Sequence, residues 1–218
     1  MKKELTIENL IEEAQAFCEA MFQKNHVHLI GVTDGKAVGT YIEHEFKRFL
    51  QNRYVFSEGN SAKGIDFPDE KVLTDIKVTS IVQPQSSCPF KSARQKIFGL
   101  GYNLLIFVYE KIDSATVCTL RFLNCTFIDK SRTADFTLTK RLREMLEDDA
   151  NREDIAAFLS DRNIPGDELT LMNIAEEVLS NPPQQGYLTI SNALQWRLQY
   201  SRVLALKNTV SGVVNYEC

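Results

Sequence analysis

The sequence predicts an α/β fold that is followed by a mostly helical C-terminal region. Over the first 135 residues, segments with helical periodicity alternate with segments typical of strands. A continuous apolar run at 103–109 indicates a central, buried strand. From Thr137 onward the periodicity is helical. We therefore expect an α/β part at 1–135 and a helical part at 136–218.

The elements of the first part are predicted from hydrophobic periodicity and from turn residues. The predicted helices are 7–22, 40–52 and 91–100, and the predicted strands are 64–67, 71–81, 103–109 and 116–128. In the second helix, Ile42, Phe46, Phe49 and Leu50 form the stripe that faces the core. A short turn at 68–70 joins the first two strands, so we expect them to form a hairpin.

The second part is predicted to contain four helices and a final short strand. The predicted helices are 138–147, 151–160, 169–179 and 190–206, and the predicted strand is 210–216. On the last helix, the face opposite the leucines carries Asn192, Gln195, Gln199 and Arg202. Asn, Gln and Arg are the side chains that pair with adenine and guanine edges in the major groove. A solvated face on a helix that closes the core or a dimer explains the same pattern.

The charge distribution bears on a nucleic-acid partner. The formal net charge is -4, but no acid lies between Glu177 and Glu217, whereas Arg197, Arg202 and Lys207 do. Binding depends on the local field over the contact surface and not on the sum of charges. The C-terminal part is therefore predicted to include a helix-turn-helix-like subdomain that reads DNA.

Composition excludes several other classes of protein. The 218 residues are 44% hydrophobic and 25% charged, as in globular proteins. No apolar run is long enough to span a bilayer, and the N-terminus carries acids where a secretory signal would be apolar. Five cysteines without a Cys-x-x-Cys pair argue against a disulfide framework and a structural zinc site. The expected location is the cytoplasm, with no membrane partner.

The segment 64–78 carries the residues that point to chemistry. Alternation along the strand 71–81 puts Asp75 and Lys77 on one face, about 6–7 Å apart along the strand. Asp66 precedes the turn, so a hairpin would bring two carboxylates and one ammonium together. Such charges on a strand suited to burial need an explanation, because burying an unpaired charge is costly.

Two carboxylates and a lysine are the groups that metal-dependent phosphodiester hydrolysis requires. Asp66 and Asp75 offer hard oxygen ligands for Mg²⁺ and leave positions open for water and phosphate oxygens. The ion would acidify its bound water and neutralise charge in the transition state. The Lys77 ammonium can orient the attacking water or counter the developing charge. The alternative is a surface hairpin with an Asp-Lys pair, since Asp-x-Lys alone is common.

The order of helix, two strands, helix and apolar strand around these residues resembles the PD-(D/E)XK nuclease superfamily. Its core is an αβββαβ succession with a mixed sheet flanked by helices, and the similarity covers roughly 39–109. Asp66 takes the place of the first Asp of the motif, Asp75 the acidic position of (D/E)XK, and Lys77 the lysine. Two departures are that the proline follows Asp66, and that only 53–56 can supply the first strand of the family.

The resemblance implies further site residues. Members often carry a Glu on the first core helix, a position that Glu43 fits. Glu45 flanks the same apolar stripe from its other side, and helical geometry alone does not choose between them, although we favour Glu43. On the helix after the lysine strand, Gln95 is implied to contact the site or the DNA backbone. Lys91, Arg94 and Lys96 are expected to contact phosphates, because cationic side chains dominate nonspecific DNA affinity. An ordinary crossover helix with a solvated basic face explains Gln95 equally well.

The function implied by the resemblance is that of a Mg²⁺-dependent type II restriction endonuclease acting on double-stranded DNA. Asp66, Asp75, Lys77 and Glu43 are then the expected catalytic residues, with Asp66 and Asp75 as the metal ligands. A homodimer and a cognate DNA methyltransferase are the implied partners. The alternatives are a structure-specific repair or recombination nuclease of the same superfamily, and a DNA-binding module whose carboxylates only pair with lysines.

Overall fold

The structure, a computed structural model, describes residues 2–59, 64–88, 92–191 and 197–218. The chain divides into two compact units. Unit 1 consists of Met1–Ser86, Asn103–Ile128 and Leu206–Cys218, and unit 2 consists of Ser87–Tyr102 and Asp129–Ala205. The predicted parts were consecutive along the chain, whereas these units interleave, because the chain leaves unit 1 and returns to it twice.

The helices and strands are as follows. The strands are β1 (Lys3–Glu4), β2 (Tyr54–Val55), β3 (Thr74–Ser80), β4 (Gln85–Ser87), β5 (Asn103–Asp113), β6 (Cys118–Ile128), β7 (Thr189–Ile190), β8 (Arg197–Gln199) and β9 (Val213–Glu217). The helices are α1 (Ile7–Phe22), α2 (Gly35–Gln51), α3 (Arg94–Phe98), α4 (Phe136–Glu147), α5 (Arg152–Asp161), α6 (Glu168–Ser180) and α7 (Ser201–Leu204). None of the helices in the described part of the chain combines the length and the apolar character that crossing a membrane requires.

Unit 1 is built on a four-stranded mixed sheet in the order β3-β5-β6-β9. The β3–β5 pair is parallel, and the β5–β6 and β6–β9 pairs are antiparallel. Helices α1 and α2 pack on this sheet, since Phe17 and Phe46 place their ring centroids 5.7 and 5.0 Å from that of Phe107 on β5. The predicted α/β fold of this region, with a mixed sheet flanked by helices, is confirmed.

Helix α2 brings one of its faces to the sheet for reasons that are visible in the sequence. Asp34 caps its N-terminus by accepting a hydrogen bond of 2.9 Å from the Lys36 N–H. Of the predicted stripe, Ile42, Phe46 and Leu50 are fully buried, and Phe49 is partly buried against the same core. Each such side chain contributes about 1.5–3 kcal/mol relative to an exposed one. The face of α2 beside this stripe is thereby fixed in position.

Two of the predicted strands differ from the structure. The segment 64–67 is not a strand, because its pairing is limited to a single antiparallel bridge between Phe67 and Thr74. The segment 53–56 contains β2, but β2 pairs in parallel with β1 in a separate two-stranded sheet. Strand β2 therefore does not supply the first strand of an αβββαβ sheet. The pairing of β2 depends on a partner distant in the sequence, whereas Phe67 is bridged to Thr74 on the other side of the same short turn.

The start of β3 is a strained point of the backbone. Leu73 has a φ of 29°, in the left-handed region that residues other than glycine seldom adopt. Its carbonyl accepts a hydrogen bond of 2.8 Å from the Asn103 N–H, and the Asn103 side chain donates to the Val72 carbonyl at 2.8 Å. These bonds hold the sharp bend that leads from the turn into the strand, which begins at Thr74 and not at 71 as predicted.

Unit 2 contains a helical core. Helices α4, α5 and α6 confirm three of the four predicted helices of the C-terminal part, and their bounds differ by at most two residues. The core they share includes Leu142, Ile155, Leu159 and Ala175, all fully buried. Asn151 and Asp154 form a capping box at the start of α5.

The predicted helix at 190–206 is wrong for the described residues. Thr189–Ile190 and Arg197–Gln199 are strands that pair antiparallel, and only Ser201–Leu204 is helical. Leu198 and Tyr200 are fully buried whereas Arg197 and Gln199 are exposed, which is the period of a strand. Strand pairing therefore overrides the helical periodicity of the segment, and no continuous reading helix carries the predicted DNA-contacting face. Residues 192–196 lie outside the described residues.

Candidate active site

Strand β3 carries the first two candidate residues. Asp75 is 4% exposed, and Lys77, two residues further along the same face, is partly buried. The Lys77 Nζ lies 2.6 Å from the Asp75 Oδ2. The predicted alternation therefore puts both side chains on one side of the strand, and they form an ion pair there.

Asp66 reaches the same place from the preceding loop. The bridge between Phe67 and Thr74, with N–H···O distances of 2.9 and 3.1 Å, sets the loop beside the beginning of β3. The Asp66 Oδ2 accepts a hydrogen bond of 2.8 Å from the Ile76 N–H. The backbone of β3 thus holds the Asp66 carboxylate close to Asp75, although the segment around Asp66 is not itself a strand.

Helix α2 adds a third carboxylate, and the structure places Glu43 and Glu45 differently. Glu43 lines the same cavity as Asp66. Glu45 instead forms ion pairs with Lys24 and Arg48 away from that cavity. Of the two glutamates that helical geometry left open, Glu43 is therefore the one beside the candidate site.

Lys47 is a site residue that the sequence reasoning missed. It lies one turn after Glu43 and is 9% exposed. Its Nζ donates to Glu43 Oε1 at 2.7 Å and to Asp66 Oδ1 at 2.5 Å. A signal was present, because a lysine that directly follows Phe46 in a buried stripe, four residues after a glutamate, is placed to pair with that acid inside the protein.

These side chains surround one cavity in unit 1 with a volume of about 350 Å³. Its lining comprises Glu43, His44, Lys47, Gly59, Gly64, Ile65, Asp66, Asp75, Ile76 and Lys77. The four predicted catalytic residues are therefore brought together. His44 and Gly59 are additions that the sequence did not single out.

Burial and the neighbouring polar and charged groups shift the pKa values of Asp75 and Asp66 in opposite directions. Burial raises the pKa of Asp75 to about 7, an effect that the Lys77 ammonium opposes and the neighbouring Asp66 reinforces. Burial acts on Asp66 too, but hydrogen bonds from Asp75, Lys47 and the Ile76 N–H bring its pKa below the ordinary value. In the metal-free protein Asp66 is therefore the ionised partner, and Asp75 holds the proton more readily.

Two charged residues of α2, Glu43 and Lys47, interact electrostatically with Asp66. Burial raises the pKa of Glu43, and the nearby Asp66 adds to this, whereas Lys47 opposes it. Although burial works in the other direction, Asp66 and Glu43 together raise the pKa of Lys47. Lys47 is thus a permanent cation between two carboxylates.

The residues present fit a divalent ion held by two carboxylates. The Asp75 Oδ2 is buried, and the Lys77 ammonium approaches it to 2.6 Å as an ion pair. Mg²⁺ is commonly held by one or two carboxylates and completes its shell with water and phosphate oxygens. No three His, Cys, Asp or Glu side chains form a metal-binding group within the described ranges. Asp66 and Asp75 are the carboxylates that would hold such an ion.

Of the residues predicted to contact DNA, Arg94, Gln95 and Arg202 have contacts within unit 2, and Lys96 is buried and not on a solvated face as expected. The Gln95 amide donates to the Leu100 carbonyl at 3.1 Å, and the Arg94 Nε donates to Glu177 at 2.8 and 2.9 Å. Gln199 is exposed on β8, and the Arg202 guanidinium stacks over the Phe136 ring at 4.0 Å. The remaining predicted residues lie outside the described part of the chain and are Lys91, Asn192 and Gln195.

Comparison with known proteins defines the class. The family described as Type II restriction enzyme NspV matches residues 4–215. The match places the chain in the class of type II restriction enzymes, and this prediction from the sequence is confirmed.

The chain belongs to the NspV family. It is 57% identical over 212 residues to the type II restriction enzyme NspV of Nostoc sp. (strain ATCC 29411 / PCC 7524), and the alignment covers 96% of each chain. No solved structure matches the chain.

Proposed function

We propose that this protein is a Mg²⁺-dependent endonuclease that hydrolyses phosphodiester bonds of double-stranded DNA at a specific sequence. The observation that carries the proposal is the cavity in which the buried carboxylate of Asp75 lies beside Asp66, Glu43 and the Lys77 ammonium. Buried carboxylates beside each other are costly unless cations compensate them, and a divalent ion would add to the compensation that Lys77 provides. Membership of a family of type II restriction enzymes supports the choice of substrate.

The chain's own residues supply positioning and charge in this proposal. Asp66 and Asp75 would hold the ion, which supplies a more acidic bound water and neutralises negative charge at the phosphate. Lys77, on the same face of β3, is placed to orient the attacking water and to stabilise the charge that develops on the phosphate oxygens. Water forms the new P–O bond while a P–O bond of the backbone breaks.

We propose further that the core is a variant of the PD-(D/E)XK arrangement. In its support, α2, β3, α3 and β5 follow one another in the required order, and Asp75-Ile76-Lys77 lies on a strand next to the central β5. Two features depart from the superfamily pattern. Asp66 lies in a loop with a single bridge, and β2 pairs with β1.

Contacts of this protein with DNA form a further part of the proposal. Gln199 and Arg202 are exposed in a segment without acids, which favours contact with DNA, although no continuous helix presents them. Asn192, Gln195 and Lys91 are proposed from their sequence context alone. Arg94 and Gln95 have intramolecular partners that DNA would need to replace. A homodimer, a cognate methyltransferase and a cytoplasmic location complete the proposal by resemblance to the superfamily.

Digestion of a plasmid tests this function. We expect discrete fragments with Mg²⁺ and intact plasmid with EDTA, because the two acids alone provide no activated water. Cleavage of branched or nicked DNA with intact plasmid would indicate a structure-specific nuclease instead. Binding without cleavage of any substrate would indicate a non-catalytic module. The sequence at the fragment ends would identify the recognition site.

A further inference from the structure

Lys47 is the one cation of the described cavity lining that the proposed reaction does not use. It is nearly buried, and its ammonium lies 2.7 Å from Glu43 Oε1 and 2.5 Å from Asp66 Oδ1. A lysine is rarely buried in this way, because desolvation of the ammonium costs several kcal/mol unless close partners compensate. The two carboxylates are those partners.

The arrangement links two elements that would otherwise repel each other. Glu43 comes from α2 and Asp66 from the loop before β3, and Asp66 raises the pKa of Glu43 by proximity. Arg48 and Glu45 on the same helix also form an ion pair, but the Arg48 side chain is largely exposed, unlike that of Lys47. Exposed pairs contribute only about 0–1 kcal/mol, so the buried lysine is the significant cation of α2.

Lys47 donates a hydrogen bond to one of the two Asp66 carboxylate oxygens, and this affects how a metal ion could bind Asp66. Asp66 Oδ2 is already engaged by the Ile76 N–H, whereas Oδ1 accepts from Lys47. A divalent ion that binds Asp66 would therefore share or replace the Lys47 contact.

We infer that Lys47 is a positioning residue whose ammonium holds Glu43 and Asp66 together in the metal-free protein and competes with a divalent ion for Asp66. The inference rests on the proposed function, because it assumes that Asp66 is a metal ligand. It assigns Lys47 no contact with DNA. Two consequences follow: loss of the lysine charge loosens the metal-free site, and the same loss favours a divalent ion there.

The experiment measures metal binding and stability without DNA, so that cleavage takes no part. For Lys47→Met we expect a lower Tm in EDTA and a Kd for Ca²⁺ about tenfold below that of the wild type, because one positive charge close to the ion is gone. Titration calorimetry gives the Kd, and thermal unfolding with and without Ca²⁺ gives the stability. Lys47→Arg keeps the charge and should stay close to the wild type in Ca²⁺ affinity.

Arg48→Met is the matched control, since it also removes a cation from α2 that pairs with a glutamate. It should change neither the Tm in EDTA nor the Ca²⁺ affinity appreciably. A lower Tm for Lys47→Met without tighter Ca²⁺ binding would mean a purely structural lysine and would overturn the inference. Tighter binding with an unchanged Tm in EDTA would overturn it as well, because the effect would then be one of overall charge.

Two further measurements keep these outcomes distinct. If Lys47→Met does not fold in either condition, Lys47→Gln replaces it under the same two criteria. Plasmid cleavage by the wild-type preparation with Mg²⁺ tests the proposed function separately. A wild type that cleaves, together with a Lys47 variant that gains no Ca²⁺ affinity, overturns the role of Lys47 alone.

Discussion

The Gly59 N–H donates a hydrogen bond of 2.8 Å to the backbone carbonyl of Asp66. This bond ties two stretches of loop together at the edge of the candidate site. Asp66 is in turn bound to β3 through Ile76. The position of one proposed metal-ligand carboxylate therefore depends on a glycine that carries no chemistry itself.

Gly59→Ala should lower the cleavage rate about ten- to hundredfold, because small displacements of catalytic groups have effects of that size. A Cβ at this position would lie 1.7 Å from the Ile65 carbonyl oxygen, which is too close for both to stay in place. Ile65 and Asp66 would have to move. Cleavage rates with Mg²⁺ measure the effect.

Gly35→Ala is the control for this substitution. A Cβ at Gly35 meets nothing within 4 Å, and the residue opens α2. Its cleavage rate should equal that of the wild type. Full activity of Gly59→Ala would show that the loop around Asp66 has no part in cleavage.

Glu43→Gln and Glu45→Gln should have clearly different effects on the rate of DNA cleavage. Glu43 shares the cavity with Asp66 and Asp75, so loss of its charge should slow cleavage about tenfold or more. Glu45 pairs with Lys24 and Arg48, both largely exposed, and its loss should change the rate less than about twofold. The comparison uses single-turnover cleavage at saturating Mg²⁺. Equal effects of the two substitutions would remove Glu43 from the site.

His26 should make the stability of the protein sensitive to acid. Burial lowers its pKa, and its ring contacts the Met21 carbonyl through Nε2 and the Tyr41 hydroxyl through Nδ1, both at 3.0 Å. The folded state thus favours the neutral ring, and the unfolded state takes up the proton first. The stabilisation is complete above the ordinary imidazole pKa of about 6.5 and is lost as the pH falls towards the lower pKa of the folded state.

Urea unfolding at pH 7.5 and at pH 5.5 measures this dependence. We expect the difference in the free energy of unfolding between the wild type and His26→Gln to be larger at pH 7.5 than at pH 5.5. The comparison between variants cancels the carboxylates, whose contributions are common to both. A difference that does not change with pH would contradict the assigned role of His26.

Short-range patterns explain why residues that meet in the cavity could be predicted from the sequence. Asp75 and Lys77 are two positions apart on one strand, so alternation alone places them on the same face. Helix α1 has the predicted bounds because its cap and its apolar spacing are local features. The choice between Glu43 and Glu45 could not be made, since both flank the same stripe and the neighbouring loop decides between them.

Strand pairing that a local sequence pattern does not reveal explains why the predictions for 190–206 and 53–56 were wrong. The segment 190–206 has helical periodicity, yet Thr189 pairs with Gln199 in an antiparallel ladder, and a partner ten residues away is not visible in a helical pattern. Likewise, the pairing of β2 with β1 depends on a strand about fifty residues earlier. Lys47 was missed because a lysine in an amphipathic helix is normally solvated.

The most direct measurement compares the wild type with Asp75→Asn and Lys77→Met in single-turnover cleavage with Mg²⁺, with DNA binding followed in parallel. The account predicts that each substitution reduces cleavage about a thousandfold or more while DNA affinity stays within a few-fold, because the changes affect water activation and charge stabilisation and not the DNA contacts. Cleavage by either variant at the wild-type rate would contradict it.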